Sequence, residues 1–364
     1  MKKPFRQNIL PLMILLSSSV IIKSGDGKWE IVKTKNPVSN RGECGMAACN
    51  GKLYLLGGGA LPTEVFDRAT LTWSSKAKAP VDINHFQPVS YQNKIYVLEA
   101  FTQGQYPEQP NLKSVYIYDT DKDSWSTGGS LPEERSRAAA GAALYNDKLY
   151  LVAGIQHGHT SGTTNMFDEY DPVTARWKAL PDAPHIRDHC AAAVIKDKLY
   201  IAGGRNTSYH EAANFMSFFK KTVLEVDCYD FKTGQWSTLA AKLPLGSGGG
   251  SMVNLDDKLY YMGGERATET EPNQPRANVF WLDPSTNEQW KETNSLHEAR
   301  NGMSAAVINN NIYVFGGAGP KTPPMPDGPR NDTARRQPPP PQGPPPGKED
   351  GPRPPSPLEM FSIK

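Results

Sequence analysis

The sequence predicts an all-β protein, a closed ring made of six repeats of one four-stranded unit. Glycine and proline stand at 32 residues each, which disfavours a helical protein. Short segments with a tyrosine followed by small residues recur six times, and a tryptophan precedes each tyrosine by 23 to 25 residues. A spacing kept this closely indicates an internal repeat. The pairs are Trp29 with Tyr54, Trp73 with Tyr96, Trp125 with Tyr150, Trp177 with Tyr200, Trp236 with Tyr260, and Trp290 with Tyr313.

The residue pattern of each repeat predicts four strands in a fixed order. The first strand is small and apolar, as in residues 191–195, and the second carries the tyrosine and mostly ends in a glycine pair. After a loop of variable length, the third strand mostly ends in an aromatic residue and an aspartate, and the tryptophan starts the fourth. Turn residues that tolerate the positive φ of a tight hairpin stand three positions before the tyrosines, at Gly51, Asn93, Asp147, Asp197, Asp257 and Asn310.

The glycine pair, the tyrosine and the tryptophan at these spacings resemble the kelch repeat. Two repeats depart from the glycine pair, with Glu99-Ala100 in the second and Ala153-Gly154 in the third. The resemblance covers residues 27–319 and 358–364 and implies an all-β, six-bladed kelch β-propeller in which each repeat is one blade.

The two ends of the repeat region predict how the ring closes. Residues 29–32, beginning at Trp29, look like an isolated fourth strand, and residues 358–364 match the third strand of the other repeats. We therefore expect the last blade to be closed by the N-terminal strand, which leaves no unpaired edge between the first and last blades.

Two segments are expected to lie outside the propeller fold. Residues 1–23 carry Lys2, Lys3 and Arg6 before an apolar run, which predicts a signal peptide and a secreted protein, periplasmic in a bacterium, without stable membrane insertion after cleavage. An uncleaved signal anchor and a wrongly assigned start of the sequence are the alternatives. Residues 320–357 contain half of the prolines and predict a disordered loop inserted in blade six, either a spacer or a docking segment for polyproline-binding domains.

The candidate binding residues follow from equivalent positions in the repeats. The long loops 101–113, 155–164, 205–222 and 265–277 open on one face of a propeller, which is typical of a binding face. Equivalent side chains in a closed ring point toward one axis, so we expect a ligand-binding rim at the mouth of the channel. Its members are Arg41, Arg137, Arg187 and Arg300, thirteen residues before a tyrosine, and Glu43, His85 and His189, two residues further on. Arginine forks suit a carboxylate, sulfate or acidic peptide, although they could instead tie one blade to carbonyls of the next.

Other side chains carry weaker signals. No metal site and no cofactor are expected, because His85 and His189 lie in non-adjacent blades and no third ligand stands at a recognisable spacing. The cysteines Cys44, Cys49, Cys190 and Cys228 are expected to be buried free thiols, with a Cys44–Cys49 disulfide left open. Asn206 and Asn331 begin glycosylation acceptor motifs in loops.

The net charge and the resemblance to the kelch repeat limit the functions that the sequence supports. The net charge is +2, and about −1 without Lys2, Lys3 and Arg6, which gives no footprint for nucleic acid. We expect a monomeric, secreted, non-enzymatic module that binds a protein or an anionic glycan. The resemblance also extends to a sialic-acid mutarotase, for which Glu43, His85 and His189 are the candidate catalytic residues. A copper-radical oxidase similar to galactose oxidase is disfavoured because its copper ligands have no match in the sequence.

Overall fold

The computed structural model describes residues 27–286, 288–318 and 356–363, and they form six antiparallel sheets. The first strands of neighbouring sheets contact each other in an unbroken circle around one axis. The six-bladed β-propeller is therefore confirmed. Helical structure in the described residues is limited to two short 3-10 helices, Glu133–Arg135 and Phe215–Lys220. In that part of the chain, no helix combines the length and hydropathy that a membrane span needs.

Every blade has the same strand order, from the axis outward. Strand β1 (Gly27–Ile31) belongs to blade six, which is completed at the other end of the chain. Blade one holds β2 (Cys44–Cys49), β3 (Lys52–Gly57), β4 (Pro62–Asp67) and β5 (Thr72–Lys78), and blade two holds β6 (Val89–Tyr91), β7 (Lys94–Val97), β8 (Tyr116–Asp119) and β9 (Ser124–Thr127). Blade three holds β10 (Gly141–Tyr145), β11 (Lys148–His157), β12 (Ser161–Asp171) and β13 (Arg176–Leu180), and blade four holds β14 (Asp188–Ile195), β15 (Lys198–Arg205), β16 (Asp227–Asp230) and β17 (Gln235–Thr238). Blade five holds β18 (Gly248–Leu255), β19 (Lys258–Arg266), β21 (Val279–Leu282) and β22 (Lys291–Glu292), with the short β20 (Gln274–Pro275) beside β19, and blade six holds β23 (Asn301–Ile308), β24 (Asn311–Ala318), β25 (Glu359–Ile363) and β1.

In four of the six hairpins between the first and second strands, the predicted turn residue has positive φ, whereas the prediction is wrong for Asn93 and Asp197. In blades one, three, five and six both central residues are left-handed, as with Asn50 at 48° and Gly51 at 74°. In blades two and four the positive φ lies one residue earlier, at Gln92 (54°) and Lys196 (52°). The two kinds of turn keep the same strand register, so the tyrosine occupies the same place in each second strand.

The core is divided among the six contacts between neighbouring blades. Each contact holds an apolar cluster drawn from both blades, and the contact between blades two and three holds a second, smaller one. Between blades one and two, for example, Tyr54, Leu56 and Val65 pack with Ile95 and Tyr118. Inner strands such as β3 and β15 are buried along nearly their whole length, because a blade covers each of their faces.

The repeated tryptophans also hold adjacent blades together. Five indole nitrogens donate to a carbonyl oxygen at the end of the outer strand of the preceding blade or just after it, as Trp236 Nε1 does to Pro181 at 2.7 Å. The sixth, Trp73, has a buried Nε1 without a partner in the described residues. The fixed spacing of tryptophan in the sequence therefore reflects one contact that is repeated around the ring.

The N-terminal strand closes the last blade, as predicted. Strand β1 pairs antiparallel with β25, and β25 pairs with β24. Trp29 lies opposite Phe361, and their ring centroids are 5.1 Å apart. The predicted signal peptide (residues 1–23) and nearly all of the proline-rich segment (residues 320–357) lie outside the described residues and stay predictions.

The four cysteines are free thiols in the interior. Cys44 and Cys49 lie at opposite ends of β2, and Cys190 and Cys228 lie in different strands of blade four. Burial raises the pKa of the Cys44 and Cys190 thiols to about 12, which keeps them protonated and unreactive in the folded chain.

Candidate functional site

The candidate site lies on the propeller axis, where one residue of each blade lies close to the start of the inner strand. All six of these residues have positive φ, between 51° and 68°, and they are Glu43, His85, Ala139, His189, Gly249 and Gly302. Four backbone bonds link five of them: the amide of Glu43 donates to the carbonyl of Gly302, that of His85 to Glu43, that of Ala139 to His85, and that of His189 to Ala139, over 2.7 to 3.0 Å. This shared geometry turns the side chains toward a small axial cavity of about 60 Å³.

The structure brings three of the predicted residues together at this cavity. The ring centroids of His85 and His189 are 5.1 Å apart, although the residues come from blades two and four. The Glu43 carboxylate lies 3.5 Å from His85 Nε2. All three side chains line the axial cavity, which is the place that their equivalent sequence positions indicate.

The four predicted arginines are placed differently, because their guanidinium groups turn into their own blades. Arg187 Nη1 donates to the carbonyls of Gly203 and Glu225 at 3.2 and 2.9 Å, and its Nη2 pairs with Asp227 at 2.8 Å. The other three make equivalent pairs, which are Arg41 with Glu64, Arg137 with Asp168, and Arg300 with Glu359. Each arginine joins the first, second and third strands of one blade, and none of the four lines the axial cavity. They therefore tie strands within a blade, rather than one blade to the next.

A third histidine, His159, reaches the axis from the turn between β11 and β12. Its ring centroid is 4.9 Å from that of His85 and 5.2 Å from that of His189. A ring nitrogen from each of these histidines lies within 4.8 Å of the others, which makes them a group that could hold a metal ion. Sequence reasoning missed His159 because it lies in loop 155–164, outside the repeating positions. The only signal was that this loop lies on the predicted binding face.

Burial controls the charge of the axial side chains. Desolvation lowers the pKa of His85, His159 and His189, so their imidazoles stay neutral at physiological pH. Glu43 keeps 31% of its side chain exposed, yet desolvation raises the pKa of its carboxyl to about 7. The axis therefore presents neutral imidazoles next to a carboxyl group that is near its titration point at neutral pH.

Four loops join into a continuous loop cap over the axial histidines, formed by residues 101–113, 155–164, 205–222 and 265–277. The amide of His159 donates to Pro107 O at 2.7 Å, which joins the loops of blades two and three. His210 Nε2 contacts Thr160 O at 2.8 Å, which joins blades three and four. The Lys220–Glu269 ion pair, at 2.8 Å, joins blades four and five. These bonds hold the predicted binding face as one surface.

An apolar patch lies on the outside of the loop cap. Tyr106, Phe215 and Met216 are 45%, 36% and 39% exposed, and the Tyr106 hydroxyl lies 3.4 Å from the Met216 sulfur. Beneath the patch, Phe218 and Phe219 are buried against the Arg205 guanidinium. Residues from two non-adjacent blades thus present apolar area on a rigid base.

The predicted glycosylation acceptors have different positions. Asn206 lies in the loop cap, half-buried, and its Oδ1 accepts from the Ser208 amide at 3.2 Å. The intervening Thr207 is fully buried and donates its hydroxyl to Asp188. Asn331 lies outside the described residues, so both acceptors stay predictions.

Comparisons with known proteins agree with this architecture. Residues 85–317 match the KLHDC2/KLHL20/DRC7 Kelch-repeats domain. The chain is 27% identical over 309 residues to Kelch-like protein terF of Aspergillus terreus, covering 80% of this chain and 64% of that protein. It is 29% identical to Kelch-like protein 25 of Xenopus tropicalis, covering 66% and 38%, and 25% identical to alpha-scruin of Limulus polyphemus, covering 58% and 22%.

A solved structure supports the fold independently. The structure of YjhT superposes with a TM-score of 0.66 at 16% identity, covering 79% of this chain and 93% of that one. The chain spans less than two thirds of each of the three curated relatives named above. The match to the Kelch-repeats domain covers more than half of the chain, so the protein belongs to the kelch-repeat β-propeller family.

Proposed function

We propose that this chain is an interaction module that binds a protein partner through the loop cap. The observation that carries the proposal is the apolar patch, in which Tyr106 from blade two meets Phe215 and Met216 from blade four. Aromatic residues and methionine are enriched at protein interfaces, where a few buried anchors supply most of the binding energy. Kelch relatives with matching repeats support a role in protein binding.

The surroundings of the patch suit a protein rather than a small molecule. Polar groups border it, including His210 stacked on Phe215 at 4.3 Å and the Lys220–Glu269 ion pair. A rigid apolar centre with a polar rim is the common arrangement of a transient protein interface. The base of the patch is fixed by the buried Phe218 and Phe219, so little conformational entropy is lost when a partner binds.

An anionic glycan has less support as the ligand. The four arginines that suit an anion are buried, and their Nη groups already bond to carbonyls and carboxylates of their own blades. Releasing one of them would leave a buried carboxylate without its partner, which costs about 3–5 kcal/mol. We therefore place the binding energy in the loop cap.

A sugar isomerase of the mutarotase type is the second candidate. Its support is the convergence of Glu43, His85 and His189 at the axis, with a carboxyl group whose pKa is raised to about 7. Against it, the axial cavity measures about 60 Å³, whereas small-molecule pockets ordinarily measure about 300–1,000 Å³. NMR exchange spectroscopy on sialic acid with the full chain tests this candidate, and we expect no acceleration of anomer exchange. Acceleration that is lost in Glu43→Gln would favour the enzyme.

We further propose that the partner is met outside the cytoplasm. The support is the N-terminal leader in residues 1–23, which carries three basic residues before an apolar run. Mass spectrometry of the protein recovered from culture medium or periplasm should find a new N-terminus near residue 23. Recovery of the intact N-terminus from the cytoplasm alone would contradict secretion.

Site-specific photo-crosslinking tests the binding face. The full chain carries p-benzoylphenylalanine at Tyr106 or Phe215, or at Val173 as a matched control, and is expressed in its native host. Val173 is apolar and 79% exposed, but it lies in the turn between third and fourth strands, away from the loop cap. We expect the same discrete protein adduct from positions 106 and 215 and none from 173. Equal adducts from all three positions, or adducts from position 173 alone, would contradict the proposal.

A further inference from the structure

We propose that His85, His159 and His189 form a binding site for a divalent transition-metal ion of the zinc class, between the propeller axis and the inner side of the loop cap. The three side chains come from blades two, three and four and meet at the axis, with a ring nitrogen of each within 4.8 Å of the others. Three imidazoles suit zinc and its neighbours in the first transition row, whereas calcium and magnesium prefer oxygen ligands.

The hydrogen bonds of the histidines leave nitrogen lone pairs free to bind a metal. His189 Nδ1 bonds to the Asp188 carboxylate at 2.6 Å, and His189 Nε2 is buried without a hydrogen-bond partner. His85 Nδ1 bonds to Asn84 Oδ1 at 2.6 Å, which leaves its Nε2 available. His159 Nδ1 is also buried and has no partner in the described residues. Buried polar atoms are nearly always satisfied, so two orphaned imidazole nitrogens in one cluster point to a missing ligand.

A second layer of contacts holds the His189 ring in place. Asp188 is fully buried and accepts from the Thr163 hydroxyl at 2.6 Å, the Thr207 amide at 3.0 Å and the Thr207 hydroxyl. A carboxylate that accepts from the far nitrogen of a histidine is the usual support of a metal ligand, because it fixes the ring and its tautomer. The loop cap supplies both threonines, so the site is built from strands and loops together.

The surrounding charge favours a divalent cation. Glu43 lies 3.5 Å from His85 Nε2 and could serve as a fourth ligand. Asp188 and Glu265 add carboxylates, and Arg205, paired with Glu265 at 2.9 Å, is the basic group near the cluster. Three carboxyl groups against one guanidinium leave an excess of acidic groups around three neutral imidazoles. These acidic groups would stabilise a bound cation.

The distances require a small closing movement when the ion binds. A tetrahedral ion with bonds of about 2.0 Å holds its ligand nitrogens about 3.3 Å apart, so the ring nitrogens need to draw together by at most about 1.5 Å. His159 lies in a turn, where side-chain rotation and a small backbone shift can provide this movement. Its ring is also 4.9 Å from that of Tyr106, so a bound ion would fix the base of the apolar patch.

Metal titration of the full chain tests the site. The protein is stripped with chelator and dialysed, then titrated with zinc by calorimetry and with cobalt(II) by visible absorption. We expect one equivalent of zinc, cobalt bands of a tetrahedral nitrogen site, and a rise in Tm with the metal. His159→Gln and His189→Gln should each weaken zinc binding by 10-fold or more. His157→Gln is the matched control, because His157 is exposed at the end of β11, two residues before His159, and its replacement should leave binding unchanged.

Loss of the metal ligands can be distinguished from unfolding of the chain and from metal binding at another site. Circular dichroism in chelator should show that the variants keep the β-sheet signal, so that lost binding reports lost ligands rather than unfolding. Absence of one-equivalent binding by the stripped chain would overturn the proposal. Equal zinc affinity in the chain and in His159→Gln would also overturn it, because the metal would then be bound elsewhere. Partner crosslinking at position 106 can be measured separately, so failure of one proposal does not imply failure of the other.

Discussion

Replacing Arg187 with alanine should destabilise the fold rather than remove a ligand contact. The Arg187 side chain has no solvent exposure, and its Nη groups bond to two carbonyls and to Asp227, which is also fully buried. The substitution leaves a buried carboxylate without its cation. Removing one partner of such a pair costs about 3–5 kcal/mol. Asp227 keeps bonds from His185 Nδ1 at 2.8 Å and from the Thr238 hydroxyl at 2.7 Å, so we expect the lower end, about 3 kcal/mol.

Denaturant unfolding followed by tryptophan fluorescence measures this loss. Arg176→Ala is the control, because Arg176 is exposed at the start of β13 and its replacement should change the unfolding free energy by less than about 0.5 kcal/mol. A double-mutant cycle with Asp227→Asn should give a coupling energy of about 1 kcal/mol or more. Wild-type stability in Arg187→Ala, together with lost binding of an anionic ligand, would refute the reasoning and restore the predicted arginine rim.

Three further predictions concern the scaffold. Gly203→Ala should destabilise the fold by about 2 kcal/mol more than Gly51→Ala. Both positions have positive φ, but a Cβ at Gly203 would lie 2.1 Å from a tyrosine hydroxyl oxygen, whereas nothing lies within 4 Å of a Cβ at Gly51. Equal losses of unfolding free energy in denaturant would contradict this prediction. The Cys44 and Cys190 thiols should react with a thiol reagent only on unfolding, since burial raises their pKa to about 12, and rapid reaction of the native chain would contradict their placement. The Asp171 carboxyl has a lowered pKa because Lys148 pairs with it at 2.8 Å. The ionised carboxylate therefore stabilises the fold at pH values above the unfolded-state pKa of about 4. This stability is lost as the pH falls through the lower pKa of the folded state. The stability gap between the native chain and Asp171→Asn, measured by denaturant unfolding, should therefore shrink below about pH 4, and a constant gap would count against the ion pair.

The repeat pattern predicted the scaffold because each blade packs against its neighbours through equivalent residues. The tryptophans and tyrosines of the repeats, such as Trp236 and Tyr200, recur at fixed spacing because each packs between neighbouring blades. The register of β1 with β25 followed from the leftover Trp29 and Phe361 at the two ends. A contact that recurs from blade to blade requires the same residue type at the same place in each repeat, so it can be recognised in the sequence.

The arginine pairs were also visible in the sequence, but only once the structure shows what to compare. Each acidic partner stands two residues before the aromatic residue of the third strand, as Asp227 does before Tyr229. The two blades without the arginine, which have Ile83 and Ser247 in its place, also lack the acid. The matching absence shows that the arginine and the acid form one structural unit of the blade.

The axial cluster could be predicted only in part. Glu43, His85 and His189 occupy equivalent positions, so their convergence follows from the symmetry of the ring. His159 does not, because the path of loop 155–164 depends on bonds to its neighbours, such as that from the His159 amide to Pro107. Contacts between loops of different length leave no period in the sequence, so this part of the site needed the structure.

The placement of every axial side chain and of the loop cap depends on closure of the ring by the two chain ends. The pairing of β1 with β25 puts Lys28 opposite Ser362, a separation that a disulfide can span. The variant Lys28→Cys with Ser362→Cys should therefore form a disulfide between positions 28 and 362 under mild oxidation, detected by peptide mapping with mass spectrometry. The control variant Lys28→Cys with Val173→Cys, which joins blades six and three, should stay reduced. If positions 28 and 362 stay reduced, or if the control crosslinks equally well, the closed six-bladed ring and the site built on its axis are contradicted.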